Sequence, residues 1–364
     1  MSDHTWGVLS NQAITAAGVV YFLALLCALV EWSAWLSRAK AAVAAKELVP
    51  AGRGHSVQTP RESERVETNT VESSADGDRV DLDTPPPSGS GGSISEVTEY
   101  RAALFGRLSL MLTAIAVVCH LAALIARGMA ADPNRVPWGN MYEFTISGSF
   151  VVAAAYVVLY RRLKLAWMAP WVLGFTVVVL MLAVVALYEP VAPLTEALNS
   201  YWLVIHVIAA IIATGGFTLG GIASLAYLLK NRFPDAALLA RVPELAALDR
   251  VSYRIHAFAF PVWTFGVLIS GPIWAHEAWG SYWNWDPKEV WAFITWVVYA
   301  GYLHARATAG WKGKKAAIVA LIGLATLWFN FIGINYFSST SQHSYAAPAA
   351  PAVVELTISE GASR

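Results

Sequence analysis

Charge is scarce in this chain. Asp, Glu, Lys and Arg make up 14% of its 364 residues, where a soluble domain carries about a quarter. The 25 basic and 25 acidic residues cancel, so no field draws in a polyanion and no nucleic-acid partner is expected. Cysteine is nearly missing as well. Cys27 and Cys119 stand alone, each inside an apolar run. With no CxxC pair, neither a thiol oxidoreductase nor a zinc-ribbon protein is supported, and both thiols read as inert packing residues. There is no phosphate loop. The glycines of "TGGFTLGG" (Gly215, Gly216, Gly220, Gly221) follow no strand and open no helix, and their small-xxx-small spacing suits close helix packing. Nothing supports a serine, cysteine or carboxylate-dyad hydrolase. No cleavable leader is evident, and the first apolar run, 13–35, is expected to stay as a span.

Apolar sequence is abundant instead. Hydrophobic residues reach 57%, in runs near or above the roughly 20 residues that cross a bilayer. The expected fold is an all-α polytopic membrane protein with about eight transmembrane helices, at 13–36, 104–127, 142–160, 167–188, 202–229, 255–274, 288–308 and 315–336. Between the first two spans, 37–99 contains "ERVETNTVESSADGDRVDLDTPPPSGSGGS". This acidic, Ser-, Pro- and Gly-rich stretch cannot bury enough apolar surface to order itself and is expected to be a disordered cytoplasmic linker. The chain thus divides into an amino-terminal helix (1–36), the linker (37–99), a main transmembrane domain (100–345) and a tail (346–364). Lys and Arg set the orientation. With the amino terminus outside, 21 of the 25 fall inside, in the linker and in three short connections at 161–164, 230–254 and 306–315; Arg127, Arg135, Lys288 and Arg364 fall outside. Both termini, the 189–201 loop and the most aromatic stretch of the chain then face outward.

That stretch is "WGSYWNWD", 279–286, within a region, 274–296, that holds six of the 16 tryptophans. Asp286, Pro287 and Glu289 occupy the N-cap, N1 and N3 positions of a helix start, so Asp286 is expected to cap the seventh span. Capping leaves the tryptophans unexplained. Trp279 and Trp283 are four apart and would share a face if the segment were helical; Trp285 stands just before the cap. Trp and Tyr gather at membrane–water boundaries, yet such a belt spreads over many span ends, and this cluster sits at one. Density alone leaves belt and ligand platform balanced.

Of eight histidines, His4 and His55 lie in a tail and the linker, His120 reads as a buried hydrogen-bonded side chain, and His276 as exposed. His206, in "NSYWLVIHV", falls one turn inside the outer end of the fifth span, and His343, in "FSSTSQHSYA", just beyond the eighth. Both share the outer side with the tryptophans. Intramembrane ionisable residues are candidates for function, although a lone membrane histidine is more often a packing residue. Two imidazoles beside aromatic rings suit haem, which takes two axial nitrogens and packs its porphyrin on rings. His304 lies about 27 Å deeper, 18 residues after Asp286 at 1.5 Å each, on the same side as His256, where a second, inner haem position is geometrically allowed. In "WGNMYE", Glu143 is expected to be a cap or first-turn carboxylate.

The run "WGSYWNWDPKEVWAFITW" also carries WGxxWxWD, the highly specific signature of WWD-domain haem-handling membrane proteins. With "NMYE", "YWLVIHV", "YLHAR" and "HSY", the chain over about 105–345 resembles the CcsA/ResC-type subunit (CcsB in some lineages) of the system II cytochrome c synthase. The resemblance implies that haem b is ligand and substrate at an outer-face platform cradled by Trp279, Trp283, Trp285 and Asp286. It implies His206 and His343 as axial ligands, and His304 at an inner site that takes haem from within. It further implies a haem-lyase subunit of the bacterial cytoplasmic membrane, active on the external face with a separate ResB-type partner. That subunit presents haem to the CxxCH thiols of an apocytochrome c and supplies no nucleophile of its own. His256 and His276 match no ligand of that family. Two other readings remain: a haem exporter of the related system I type, whose short chains lack an amino-terminal span and linker like these, and a membrane scaffold whose tryptophans are only a belt.

Overall fold

The computed structural model describes residues 2–48, 94–192, 200–338 and 341. Helices form at every expected span. They are α1 (Asp3–Leu48), α2 (Ile94–Met129), α3 (Met141–Leu159), α4 (Ala169–Ala186), α5 (Tyr201–Arg232), α6 (Leu245–Thr264), α7 (Gly271–Trp279), α8 (Pro287–Thr308), α9 (Lys314–Trp328) and the single turn α10 (Ile334–Phe337). Two π-helical segments, Phe265–Ser270 and Phe329–Gly333, fuse α6 to α7 and α9 to α10. Among the described residues, seven helical stretches are long and apolar enough to cross a membrane. The remaining predicted span, α8, has the length, 22 residues, but Lys288, Glu289, His304, Arg306 and its tyrosines and tryptophans lower its hydropathy. The protein is an all-helical, polytopic membrane protein.

The expected linker is shorter at both ends than its composition suggested. α1 runs on to Leu48 and α2 begins at Ile94, because "AKAAVAAKEL" at 39–48 is built from strong helix formers. The rest, 49–93, lies outside the described residues. With 46 residues, α1 is about 69 Å long, more than twice the roughly 30 Å hydrocarbon core, so its end projects into water. α1 and α2 pack antiparallel, in a register set by Ser10 Oγ donating to the Ala123 carbonyl and Ser109 Oγ to that of Ala24, both at 2.9 Å.

One core joins α1–α4 and part of α5, around Tyr21, Tyr156, Leu173 and Leu219. A second joins α5, α6, α8 and α9, around Phe217, Trp263, Tyr299 and Leu327. α5 belongs to both, and its glycines allow this. A Cβ on Gly215 would stand 2.9 Å from Val151 of α3, and one on Gly220 would stand 2.5 Å from the His256 ring of α6. Backbones approach here as closely as the small-residue spacing suggested. Gly220→Ala is expected to cost about 1–3 kcal/mol through overpacking against a fully buried ring, read as a lower thermal midpoint of the detergent-solubilised protein; an unchanged midpoint would show that His256 can yield.

At one end of the bundle, Trp32 Nε1 donates to the Leu238 carbonyl (3.0 Å) and Glu31 pairs with Arg241. At that end Arg306 also grips Asp249 through two bonds of 2.8 and 2.9 Å. The opposite end carries a smaller cluster of Trp138, Leu203, Val207 and Trp274.

Candidate functional site

Beside that smaller cluster, Asn140 caps α3 by accepting from Glu143 N. Glu143, at N3, goes well beyond the first-turn role expected of it. It is fully buried, accepts from Gly139 N (2.7 Å), and pairs with Arg127 (2.9 Å) and Arg135 (2.7 Å). The arginines reach on to the carbonyls of Glu189 and Ala192. Arg127 also lies over Tyr142 and Tyr188, at 5.1 and 5.9 Å. The two cations counted as outer-loop charges are thus the interior struts of the loop that follows α4.

The second landmark is the break in α6. Pro261 inside the helix and Pro272 at the start of α7 remove backbone donors, and the ladder between them slips to π geometry. In this slip the Gly266 carbonyl accepts from His206 Nδ1 (2.8 Å) and Ser270 Oγ (3.1 Å). A carbonyl only accepts, so Nδ1 carries a proton. Metal-binding histidines are commonly oriented in this way, with one ring nitrogen tied to a carbonyl. Trp274 stacks on the imidazole, with centroids 5.9 Å apart and planes 14° from parallel.

α7 ends at Trp279 because Gly280 takes a left-handed φ of 73° and donates back to the His276 carbonyl. Trp279 and Trp283 therefore do not share a helical face. Trp279 meets Trp274 edge-on at 4.8 Å, and Trp283 meets Trp285 at 5.9 Å and 88°. The signature forms two crossed pairs rather than one flat sheet. Trp285 is 74% exposed and itself holds a left-handed φ of 56°. For a bulky residue that is strained backbone, of a kind that clusters at functional sites.

Asp286 caps α8 as expected. Its Oδ1 accepts from Lys288 N (2.8 Å), while Glu289 Oε2 accepts from Asp286 N (3.1 Å) and Asn284 N (2.9 Å). The same Oδ1 also accepts from Ser341 Oγ (2.9 Å). The chain beyond the last helix therefore returns to the signature. His343 itself lies outside the described residues.

Between α3, α4, α5, α8, α9 and the two π segments opens a cleft of about 1420 Å³, its mouth included. His206, Trp274, Tyr282 and Trp283 line it toward the signature, and Thr218 and Trp263 lie on its wall farther along. Of the predicted site residues that are described, His206 and Trp283 line this space, while Trp279 and Trp285 touch the lining residues Trp274 and Trp283 edge-on. His304 is exposed on α8, away from the cleft. Among the described residues His304 and His256 do not face one another. His256 is fully buried against Phe217, Tyr299 and Tyr302. Those two tyrosines occupy the opposite side of α8 from His304, because residues two and five apart point about 160° and 140° away round a helix. His120 is also fully buried, edge-on to Tyr21 and Phe150. Among the described residues no three His, Cys, Asp or Glu side chains converge as a metal cage. Among the described residues the cleft offers a single imidazole at an aromatic wall. Sequence reasoning passed over Trp274, Tyr282, Lys288 and Asn335 as lining residues. A lysine in the first turn of a membrane helix was the one visible signal.

The class these features define is a polytopic helical membrane protein with an apolar, aromatic cleft that one histidine lines among the described residues. The comparisons with known proteins narrow this class. The family model for cytochrome c assembly proteins matches residues 138–341, and the chain belongs to that family. It is 34% identical to the cytochrome c biogenesis protein CcsA of Synechococcus elongatus over 286 residues, which cover 64% of this chain and 85% of that one. It is 43% identical to CcsA of Chlamydomonas reinhardtii over 157 residues, 43% of this chain and 44% of that one. The match spans about half the length of several of the curated relatives, including that of Chlamydomonas reinhardtii. In fold the chain is similar to the solved structure of the cytochrome c heme lyase CcmF, with a TM-score of 0.57 at 14% identity, covering 91% of this chain and 47% of that one.

Proposed function

We propose that the cleft receives haem b as substrate and holds it for covalent attachment to an apocytochrome c. The observation that carries this reading is the His206 imidazole, which lines an aromatic cleft with Nδ1 bound to Gly266. His206 Nε2 supplies one axial nitrogen. His343 supplies the other: it follows Ser341 by two residues, a reach of at most about 7 Å, and Ser341 is bonded to Asp286. Trp274 and Trp283 pack against the porphyrin, and Trp279, Trp285 and Asp286 hold them in place.

The substrate contributes two vinyl groups. Each thiol of an incoming CxxCH segment adds across one vinyl, sulfur to one carbon and hydrogen to the other, so no oxidant is consumed. This chain provides position rather than a nucleophile, keeping vinyl and thiol within near-attack distance. The Lys- and Arg-rich connections gather at the end of the bundle away from the signature, which supports a cleft opening on the external face of a bacterial cytoplasmic membrane. His304 is exposed on α8, which supports an inner site shared with a ResB-type subunit.

The test is to co-express the chain with such a subunit and an apocytochrome, then stain denatured samples for covalent haem. Haem that survives denaturation on the cytochrome is expected. Haem bound to the complex with no covalent product would favour the exporter reading.

A further inference from the structure

Two rings of the signature are fixed in place and yet left open. Trp285 is 74% exposed, at a left-handed φ of 56° that bulky residues rarely take. Its backbone is clamped on both sides, because Asn284 N and Asp286 N donate to one oxygen, Glu289 Oε2, at 2.9 and 3.1 Å. Tyr282 is 58% exposed and stacks on His276, with centroids 4.3 Å apart and planes 21° from parallel. Tyr282 also lines the cleft, so it stands where the cleft meets its surroundings. Trp285 meets the lining residue Trp283 edge-on at 5.9 Å.

A fixed, open ring is what a binding partner uses best. Tryptophan and tyrosine lead the side chains that carry energy at protein interfaces, and a ring already held in place loses little freedom on binding. An interfacial belt has no such need, since a ring among fluid headgroups serves at any angle. Strained backbone under an exposed tryptophan therefore marks a contact whose direction matters. The rim is also poor in charge. From 279 to 286 the one charged side chain is Asp286, and it is 5% exposed. Contact there is made by packing rather than by ion pairs.

We propose that Trp285 and Tyr282 form a docking rim for the unfolded, thiol-bearing segment of the apocytochrome. The inference rests on the haem reading above and adds the surface that receives the second substrate. Thiols that reach a vinyl group in the cleft must cross its mouth, and these rings stand there. A subunit seated permanently on them would close the same entrance.

The experiment measures covalent attachment by the full-length chain in complex with its partner subunit, under reducing conditions, at increasing apocytochrome concentration. Rates are counted per haem-loaded complex. Trp285→Gly removes the ring and keeps the turn, because glycine accepts a positive φ without strain. Its KM for the apocytochrome is expected to rise roughly 10- to 100-fold, the worth of an interface tryptophan. The loss falls on KM rather than on kcat, and Trp285→Phe recovers part of it. An unchanged KM leaves the rings to the membrane surface and overturns the proposal, as does a loss confined to kcat. A variant that no longer co-purifies with the partner subunit assigns the rim to that subunit and also overturns it. So does an effect that disappears when 346–364 are deleted, which would assign the rim to the chain's own tail. In each of these cases the haem reading stands; a wild type that attaches no haem overturns both. Should Trp285→Gly fail to assemble at all, Trp285→Asn, which also tolerates left-handed backbone, is judged by the same criteria.

Discussion

His206→Ala is expected to strip haem from the purified complex. Outer-shell partners of metal-bound histidines alone are worth about 10- to 100-fold in affinity, so losing the ligand itself should exceed about 100-fold. Two effects add here. The iron loses its nitrogen, and Trp274 loses the ring it stacks on at 5.9 Å. The readout is the absorption spectrum of the complex before and after the substitution. A six-coordinate, bis-histidine spectrum that vanishes in both His206→Ala and His343→Ala supports the proposed pair. Haem content indifferent to both would remove the cleft's assignment. The helix itself should survive, since His206 is only half-buried and alanine is the best helix former.

Glu143→Ala is expected to have the largest effect on stability. It would leave two buried guanidinium groups, Arg127 and Arg135, without their shared carboxylate. Breaking a buried ion pair from one side costs about 3–5 kcal/mol, a large share of the 5–15 kcal/mol that holds a domain together. Glu143 is fully buried and Arg127 2% exposed, so water cannot take over either role. The expected outcome is a sharp fall in the yield of folded protein and in its thermal midpoint, with the loop beyond α4 losing its two carbonyl anchors. If Glu143→Ala is tolerated while Glu143→Ala with Arg127→Met is no better, the network is not the strut described here.

Much of the fold was legible because a bilayer asks a simple question of a sequence: which stretches are apolar and long enough. All eight expected spans are helical, although α1, α2 and α6 each begin ten residues before the span expected there. The misses have physical causes. The linker's ends were read from the average of a segment whose first ten residues are alanine-rich. The π segments were invisible because an extra residue in a helix leaves no mark on an apolar run; Pro261 and Pro272 hinted only at a bend. In the site, the Asp286 cap was plain from local pattern, whereas the Ser341 bond to the same oxygen spans 55 residues and no local pattern encodes it. The signature was expected to make a platform, but Gly280 ends the helix and turns the rings into crossed pairs. The charges of Arg127 and Arg135 were assigned to water because a charge count cannot show that Glu143 stands between them.

The π segment at Phe265–Ser270 acts as a phase offset in a long rod. One residue turns an α-helix by 100°, so the extra residue rotates everything beyond it by that much against the shaft below. Below the offset, Trp263 points its Nε1 at the Ala292 carbonyl of α8; above it, Trp274 faces His206 on α5. A single rod in uniform α register could serve one of these neighbours but not both. One inserted residue in an otherwise regular helix therefore lets the same rod seal the bundle along its length and furnish a wall of the cleft at its tip.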